Sequence, residues 1–329
     1  MIICRTPFRI SFFGGGTDFP KWYSKNTGCV ISVSIDKFSY ITVRDLPNFF
    51  EYRYRLRYFN TEQAKKISEI KHPSFREIIK KYHNKNRTIE IVHNADLPAM
   101  SGLGSSSSTT VGTVHALMTL NNREVSKKSL ALRSIEIEQK ILKESVGSQD
   151  QVVASYGGFN FIKFNRDKSI IVKPFKNFEN IKKIENSLLL VYTGIKRKAE
   201  TIEKDKMKNF SKSIDYYSQL NNLTLEAKKI IESDNFKLKS FGGLLSKHWK
   251  IKKKLSKLVT NSNIDRIYNI GMKNGAYGGK LLGAGNGGFM LFICNAETKK
   301  KIKQKLKNYL NVPIKFEKKG SQIVRYESY

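Results

Sequence analysis

Leu97-Pro98-Ala99-Met100-Ser101-Gly102-Leu103-Gly104-Ser105-Ser106-Ser107-Ser108 is the stretch on which the fold and chemistry of this chain turn. It follows a strand-like run at 88–93 and opens a helix whose face includes Val111, Val114, His115 and Met118. Gly102 and Gly104 let the backbone approach a ligand closely or take a positive φ. The serines stand at the helix start, where free N–H groups and the macrodipole favour an anion. One serine would serve as an N-cap after a flexible loop. Four in a row after Gly-x-Gly read as a phosphate cradle, with hydroxyls that can add hydrogen bonds or reach a magnesium ion.

Other phosphate signatures fail. The pattern G-x-x-x-x-G-K-[ST] is absent, as are H-R-D and D-F-G. Gly283, Gly285 and Gly288 do match G-x-G-x-x-G, but a dinucleotide site needs a helix directly afterwards and an acid further on. Phe289-Met290-Leu291-Phe292-Ile293-Cys294 follows instead, which is a strand. These glycines read as a turn whose backbone crowds against the site.

Working outward, strands are expected at 2–6 and 11–13, with Gly14-Gly15-Gly16 stopping the run. A strand pair, 29–35 and 38–44, is expected around a turn at Asp36-Lys37. Strands at 52–58, 159–164 and 170–172 and helices at 74–82 and 126–143 complete the first part. The Lys- and Asn-rich stretch 176–186 reads as a boundary, dividing the chain into 1–185 and 186–329. Beyond it come a buried strand at 188–192, three helical segments over 199–273, a Gly-rich hairpin, a helix at 297–310 and strands near 312–316 and 322–326. The class is α+β.

A chain of 329 residues suggests two domains at roughly 100–200 residues each. There is no apolar run long enough to span a membrane, and Arg5 and Arg9 interrupt any signal-peptide core. Cys4, Cys29 and Cys294 are odd in number and widely spaced, which points to reduced thiols and a cytoplasmic setting. Lys and Arg number 60 against 28 acids, a net charge of +32 that attracts polyanions. The densest lysine stretches, 247–257 and 299–307, carry Ile and Leu at helical spacing and read as solvated helix faces. A basic nucleic-acid-binding protein is the rival from another class, and steeply salt-dependent binding would mark it.

Three blocks, in order, resemble the GHMP kinases, small-molecule kinases that include galactokinase, homoserine kinase and mevalonate kinase. They are Thr6-Pro7-Phe8-Arg9 through Phe13-Gly14-Gly15-Gly16-Thr17-Asp18, the Pro98 to Ser108 loop with its P-x-x-x-G-L-G-S-S pattern, and Lys280-Leu281-Leu282-Gly283-Ala284-Gly285-Asn286-Gly287-Gly288. Asn286 departs from the glycine found in many members. Within the family, Arg5 through Asp18, Gly147-Ser148-Gln149-Asp150-Gln151 and Tyr156-Gly157-Gly158-Phe159-Asn160-Phe161 are similar to the bacterial D-glycero-D-manno-heptose 7-phosphate kinase subfamily. Fucokinase-like or galactokinase-like sugar 1-kinases are the near competitors. The resemblance implies an N-terminal domain like the second domain of ribosomal protein S5 and a ferredoxin-like C-terminal domain. It implies ATP and Mg2+, small-molecule partners, and neither nucleic acid nor membrane; it leaves the oligomeric state open. The implied reaction phosphorylates the anomeric hydroxyl to give the 1,7-bisphosphate, for GDP-heptose and surface polysaccharide.

Phosphoryl transfer needs positioning, magnesium, charge neutralisation and a carboxylate to orient or deprotonate the acceptor hydroxyl. Galactokinases place a magnesium-binding Glu near a helix end and a catalytic Asp 12 positions later. Here 150 − 138 = 12, so the resemblance selects Glu138 as metal ligand and Asp150 as base. Glu136 and Glu138 point to different faces, so one of them reaches the loop. A surface acid at Glu138 and a helix N-cap at Asp150 are the plain alternatives. The resemblance also implies Pro98, Ser101, Gly102, Leu103, Gly104, Ser105, Ser106 and Ser107 around the ATP phosphates, with Ser106 on magnesium and Ser105 left open for that role. Arg9 would sit beside Asp150 and help neutralise the transferring group. Asp18 would accept hydrogen bonds from sugar hydroxyls, among Gly15, Gly16, Thr17, Gly283 and Gly285. A phosphosugar needs a second anion site, for which Lys196-Arg197-Lys198 offers Arg197.

Overall fold

Ile2–Phe13 (β1) is buried along most of its length and runs as one strand, where two short ones were expected. Pro7 sits at a register shift, so it interrupts the ladder without ending the strand. Antiparallel to it lies β2 (Gly28–Asp45), also continuous. The expected turn at Asp36-Lys37 is a bulge: Pro7 pairs with Phe38 and Phe8 with Ile35, so two residues loop out. The segment before Gly320 covers that bulge. Asp36 N–H donates to the Lys315 carbonyl at 2.9 Å, and Ile35 bridges to Phe316. The strand expected at 312–316 is therefore reduced to isolated bridges, here and at Asn311.

This computed structural model describes residues 1–326 apart from Asn48, Lys85, Arg197 and Lys198. β3 (Tyr54–Arg57), β4 (Thr61–Ala64), β5 (Ile89–Ala95), β6 (Phe159–Phe164) and β7 (Ile170–Pro174) extend the first sheet. β8 (Leu188–Tyr192), β9 (Gly278–Leu281) and β10 (Phe289–Ile293) form a second, antiparallel sheet in the order β8-β10-β9. β11 (Gln322–Tyr326) returns to the first sheet, whose order is β11-β1-β2-β5-β3-β4, with β6 on the first half of β2 and β7 beyond it.

Helices α1 (Pro73–Tyr82) and α2 (Ser105–Leu120) cover one face of the first sheet, where Phe75, Ile78, Val111, Val114 and Leu117 meet Ile2, Cys4, Ile41 and Val43. The α2 helix is buried nearly all round, as its small residues allow. The next helix, α3 (Lys127–Ile135), widens into a π-turn over Glu136–Ile141, in which Leu142 N–H donates to the Ile137 carbonyl at 2.9 Å. α4 (Gln149–Tyr156) follows.

The stretch 176–186 forms α5 (Phe178–Ser187), capped by Asn177, which accepts from Asn180 N–H at 3.1 Å. A 3-10 turn at Phe210–Ser213 splits the first expected helical segment into α6 (Ala199–Lys208) and α7 (Ile214–Glu232). α8 (Leu238–Lys254), α9 (Ser262–Lys273) and α10 (Ala296–Lys305) complete the helices. Phe8, Ile10, Phe12 and Phe13 of β1 share one core with Leu190, Leu291, Phe241 and Leu244, so the first sheet packs directly on the second sheet and α8. No described helix is long and apolar enough to cross a membrane.

Candidate active site

A cavity of about 340 Å³ opens where the end of β1, the loop before α2, the start of α4 and the turn after β9 converge. Gly104, left-handed at φ 77°, precedes α2, and no side chain caps the helix. The single-cap alternative therefore gives way, and the N–H groups of the first turn stay available to an anion. Gly102, Gly104, Ser105, Ser106 and Ser107 all line the cavity. Pro98 is exposed outside it, while Ser101 and Leu103 are buried behind it. They act as the loop's anchor: the Leu103 carbonyl accepts from Arg9 N–H at 2.9 Å. The glycine turn after β9 fits against the same anchor. A Cβ on Gly288 (φ +92°) would lie 2.1 Å from the Ser101 carbonyl oxygen.

Arg9 and Asp150 form a two-pronged pair. Arg9 Nε donates to Oδ1 at 2.8 Å and Nη2 to Oδ2 at 2.7 Å, while Nη1 donates to the Gly102 carbonyl at 2.8 Å. The guanidinium thus ties the carboxylate to the glycine- and serine-rich loop before α2. A Cβ on Gly104 would come within 3.2 Å of Arg9 Cγ and 3.3 Å of Asp150 Oδ2, so the backbone lies directly over the pair. Asp150 stands in the first turn of α4, but Ser148 occupies the N-cap position. Its carboxylate serves Arg9 and the cavity.

Glu138 and Glu136 part as their spacing predicts. Glu136 pairs with Lys81 at 2.7 Å outside the cavity, while Glu138 is fully buried in its wall. The π-turn places it there. Ser107 Oγ donates to Glu138 Oε2 at 2.9 Å, and Gln151 Nε2 donates to the same oxygen. The hydroxyl on Glu138 is thus Ser107's, while Ser106, expected on magnesium, lines the cavity exposed. Burial, helped by the nearby Glu144, pushes Glu138 up to about 7. Its Oε1 is buried without a hydrogen-bond partner. An orphaned carboxylate oxygen beside loop hydroxyls is a donor set that fits magnesium. Among the described residues no three His, Cys, Asp or Glu side chains cluster to cage an ion. The remaining ligands would then be water and phosphate oxygens, the usual magnesium arrangement.

In the same cavity, Asp18 accepts from Gly16 N–H at 2.8 Å and Gln149 N–H at 3.1 Å. Burial raises it to about 6, against the lowering by those bonds. Gly15, Gly16 and Gly283 line the cavity with it. Thr17 and Gly285 do not. The Thr17 hydroxyl is turned inward to the Gly14 and Cys29 carbonyls, both at 2.9 Å, and Gly285 packs against Val259. Arg197, expected at a second anion site, lies outside the described residues.

Among the cavity residues that escape a reading of the sequence are four basic ones: Lys206, His248, Lys252 and Lys280. Lys280 Nζ donates to the carbonyls of Ser11 (3.1 Å) and Phe12 (2.8 Å) and, being fully buried near Arg9 and Lys206, is lowered to about 7. Its place at the head of the third glycine block was a usable signal. The others look like ordinary members of basic helices, and only the packing of α6 and α8 turns them inward.

Relatives of this chain are found along its whole length. The sequence profile of the GHMP kinases N terminal domain matches residues 71–158, and that of the GHMP kinases C terminal region matches 231–312. A D-glycero-alpha-D-manno-heptose 7-phosphate kinase from Campylobacter jejuni is 32% identical over 315 residues, 90% of each chain. A bifunctional fucokinase/GDP-fucose pyrophosphorylase from Arabidopsis thaliana is 25% identical over 94% of this chain and 31% of its own. Among solved structures, a D-glycero-D-manno-heptose 1-phosphate kinase from Bacteroides thetaiotaomicron superposes with a TM-score of 0.81 at 22% identity, over the full length of both chains. The galactokinase of Lactococcus lactis, complexed with galactose, gives 0.72 at 18% identity, over 98% of this chain and 94% of its own. With both family profiles matched and a relative above 30% identity along nine-tenths of its length, this two-domain chain belongs to the GHMP kinases and is an ATP-dependent phosphotransferase.

Proposed function

We propose that the chain transfers the γ-phosphoryl group of ATP to the anomeric hydroxyl of D-glycero-D-manno-heptose 7-phosphate, giving the 1,7-bisphosphate and ADP. In this reaction the sugar oxygen bonds to γ-phosphorus and the bond from γ-phosphorus to the β–γ bridging oxygen breaks. The hydroxyl proton passes to Asp150, whose oxygens keep a lone pair each beyond those that Arg9 occupies. Arg9, fixed by the Gly102 carbonyl, offsets charge on the transferring group. The uncapped start of α2 receives the ATP phosphates, and Asp18 orients the sugar. Glu138 with a serine of the loop would hold magnesium, which when bound neutralises phosphate charge. The product would feed GDP-heptose for surface polysaccharide, in the cytoplasm.

The observation that carries this assignment is the Arg9–Asp150 pair lying against the phosphate loop in the cavity. The heptose 7-phosphate part rests on the relative at 32% identity. A phosphorus NMR assay with ATP and a panel of heptose 7-phosphate, unphosphorylated heptose, fucose and galactose tests it. A new anomeric phosphate signal with heptose 7-phosphate is expected. Turnover confined to fucose or galactose would replace it with the sugar 1-kinase alternative, to which the fucokinase relative points.

A further inference from the structure

Three side chains of the cavity wall carry polar atoms for which the described residues supply no partner. Ser11 near the end of β1, Gln149 at the start of α4 and His248 of α8 all line the cavity, and each is more than nine-tenths buried. Ser11 Oγ, Gln149 Oε1 and His248 Nδ1 are buried without a hydrogen-bond partner. The three side chains gather on the glycine run between β1 and β2. A Cβ on Gly15 would stand 3.6 Å from Ser11 Oγ and 3.5 Å from Gln149 Nε2. His248 Nε2 accepts from Gly14 N–H at 3.0 Å, and Asp18 holds the N–H groups of Gly16 and Gln149.

The Gly14 bond sets the ring's tautomer. A nitrogen that accepts carries no proton, so in neutral imidazole the proton sits on Nδ1. Burial, with Lys280 and Lys252 nearby, keeps the ring neutral. Nδ1–H is then a donor, Gln149 Oε1 an acceptor, and the Ser11 hydroxyl can be either. Buried polar atoms are nearly always paired, so three orphans from three elements on one wall call for an outside partner. A simple cation offers nothing to Nδ1–H, and a simple anion offers nothing to Gln149 Oε1. Hydroxyls both donate and accept, and an array of them suits this mixture, with Asp18 as a further acceptor. We propose that Ser11, Gln149 and His248 read the non-reacting hydroxyls of the acceptor sugar and so set which sugar is taken. This deepens the sugar kinase reading above and rests on it.

The test is a double-mutant cycle between side chain and sugar. Ser11→Ala, Gln149→Met and His248→Gln each remove one of the unpaired atoms; the last keeps an acceptor within reach of Gly14 N–H and loses the Nδ1 donor. Thermal melting checks that each full-length variant folds. For each, kcat/KM is measured on heptose 7-phosphate and on deoxy analogues that lack one non-reacting hydroxyl apiece. In wild type, loss of a paired hydroxyl should lower kcat/KM about tenfold to hundredfold, the scale of a buried partner left unpaired. In the variant that lacks that hydroxyl's partner, the same analogue should match the parent sugar within about threefold, because the pair is already broken. His248→Asn, whose amide N–H stands near the Nδ1 position, should restore part of the discrimination. Penalties that multiply for every hydroxyl remove the residue concerned, and in all three variants they overturn the subsite and leave the wall to water. A loss chiefly on KM for ATP also overturns it and gives these residues to the nucleotide. A wild type that ignores heptose 7-phosphate fails differently: it removes that acceptor, and the same cycle on deoxy forms of the sugar it does phosphorylate decides the subsite. A wild type that takes no sugar overturns both.

Discussion

At Asp150 the proposed base and a structural brace share one carboxylate, and the geometry says how a variant will separate them. Asp150→Asn keeps size and shape but leaves the buried Arg9 guanidinium with a poorer partner. A general base is worth about 10²–10⁴-fold in rate, and kcat should fall by that much. The melting temperature should drop by a few degrees, since the half-lost pair costs about 1–3 kcal/mol. Retention of kcat within about threefold would remove Asp150 from the chemistry. Asp18 gives a pH signature instead. Its folded value, raised by burial to about 6, lies above the ordinary carboxylate value of 3.8. A raised acid stabilises the fold most below the unfolded value, and that contribution is lost as pH climbs from about 4 through about 6. Sugar hydroxyls donate to the ionised form, so acceptor binding moves the other way. KM for the acceptor should be about tenfold higher at pH 5 than at pH 7, as one group titrating near 6 requires. A KM flat across that window would take Asp18 out of acceptor binding.

Among the elements, the turn between β9 and β10 is a support for the glycine- and serine-rich loop before α2 more than a ligand site. Gly288 touches the Ser101 carbonyl, and Thr193 N–H in turn donates to the Gly288 carbonyl at 2.9 Å. Gly288→Ala would force the loop away from α2 and place a side chain at a positive φ. It should raise KM for ATP about tenfold or more and lower the melting temperature by several degrees, with overpacking worth about 1–3 kcal/mol. Unchanged ATP kinetics would mean that the two turns move independently. The three glycine and serine blocks, and the acids spaced between them, were legible because backbone chemistry dictates the residue type at each position. Continuity of β1 and β2 was not legible. Pro7 and the Asp36-Lys37 pair carry local signals for a break, and only the partner strand, together with cover from the chain near Phe316, overrides them. The hydrogen bond from Ser107 to Glu138 was likewise beyond sequence, since it depends on the π-turn's extra residue per turn. Lysines that face inward cannot be told from those that face water when a chain holds so many.

For the whole molecule, the net charge of +32 is spread rather than focused. α10 shows the pattern: Lys300, Lys301 and Lys303 are exposed around the buried Ile302. Such a surface attracts polyanions weakly and without preference. Retention on duplex DNA should therefore fall steeply between 50 mM and 200 mM salt, with no sequence preference, when followed by fluorescence anisotropy. Tight binding that survives 200 mM salt would revive the nucleic-acid alternative.

β11 has a further consequence, for the order in which the molecule is made. Ile2 leaves the ribosome more than three hundred residues ahead of its partner Tyr326. Until then that edge of β1 presents unpaired backbone groups, an invitation to pair with another chain. Thr6 waits nearly as long, and His115 some 206 residues, before the Ser321 hydroxyl meets them at 2.8 Å and 2.9 Å. Synthesis at about 5–20 residues per second makes this a delay of tens of seconds. During that interval the nascent first sheet stays open along the edge that β11 later covers.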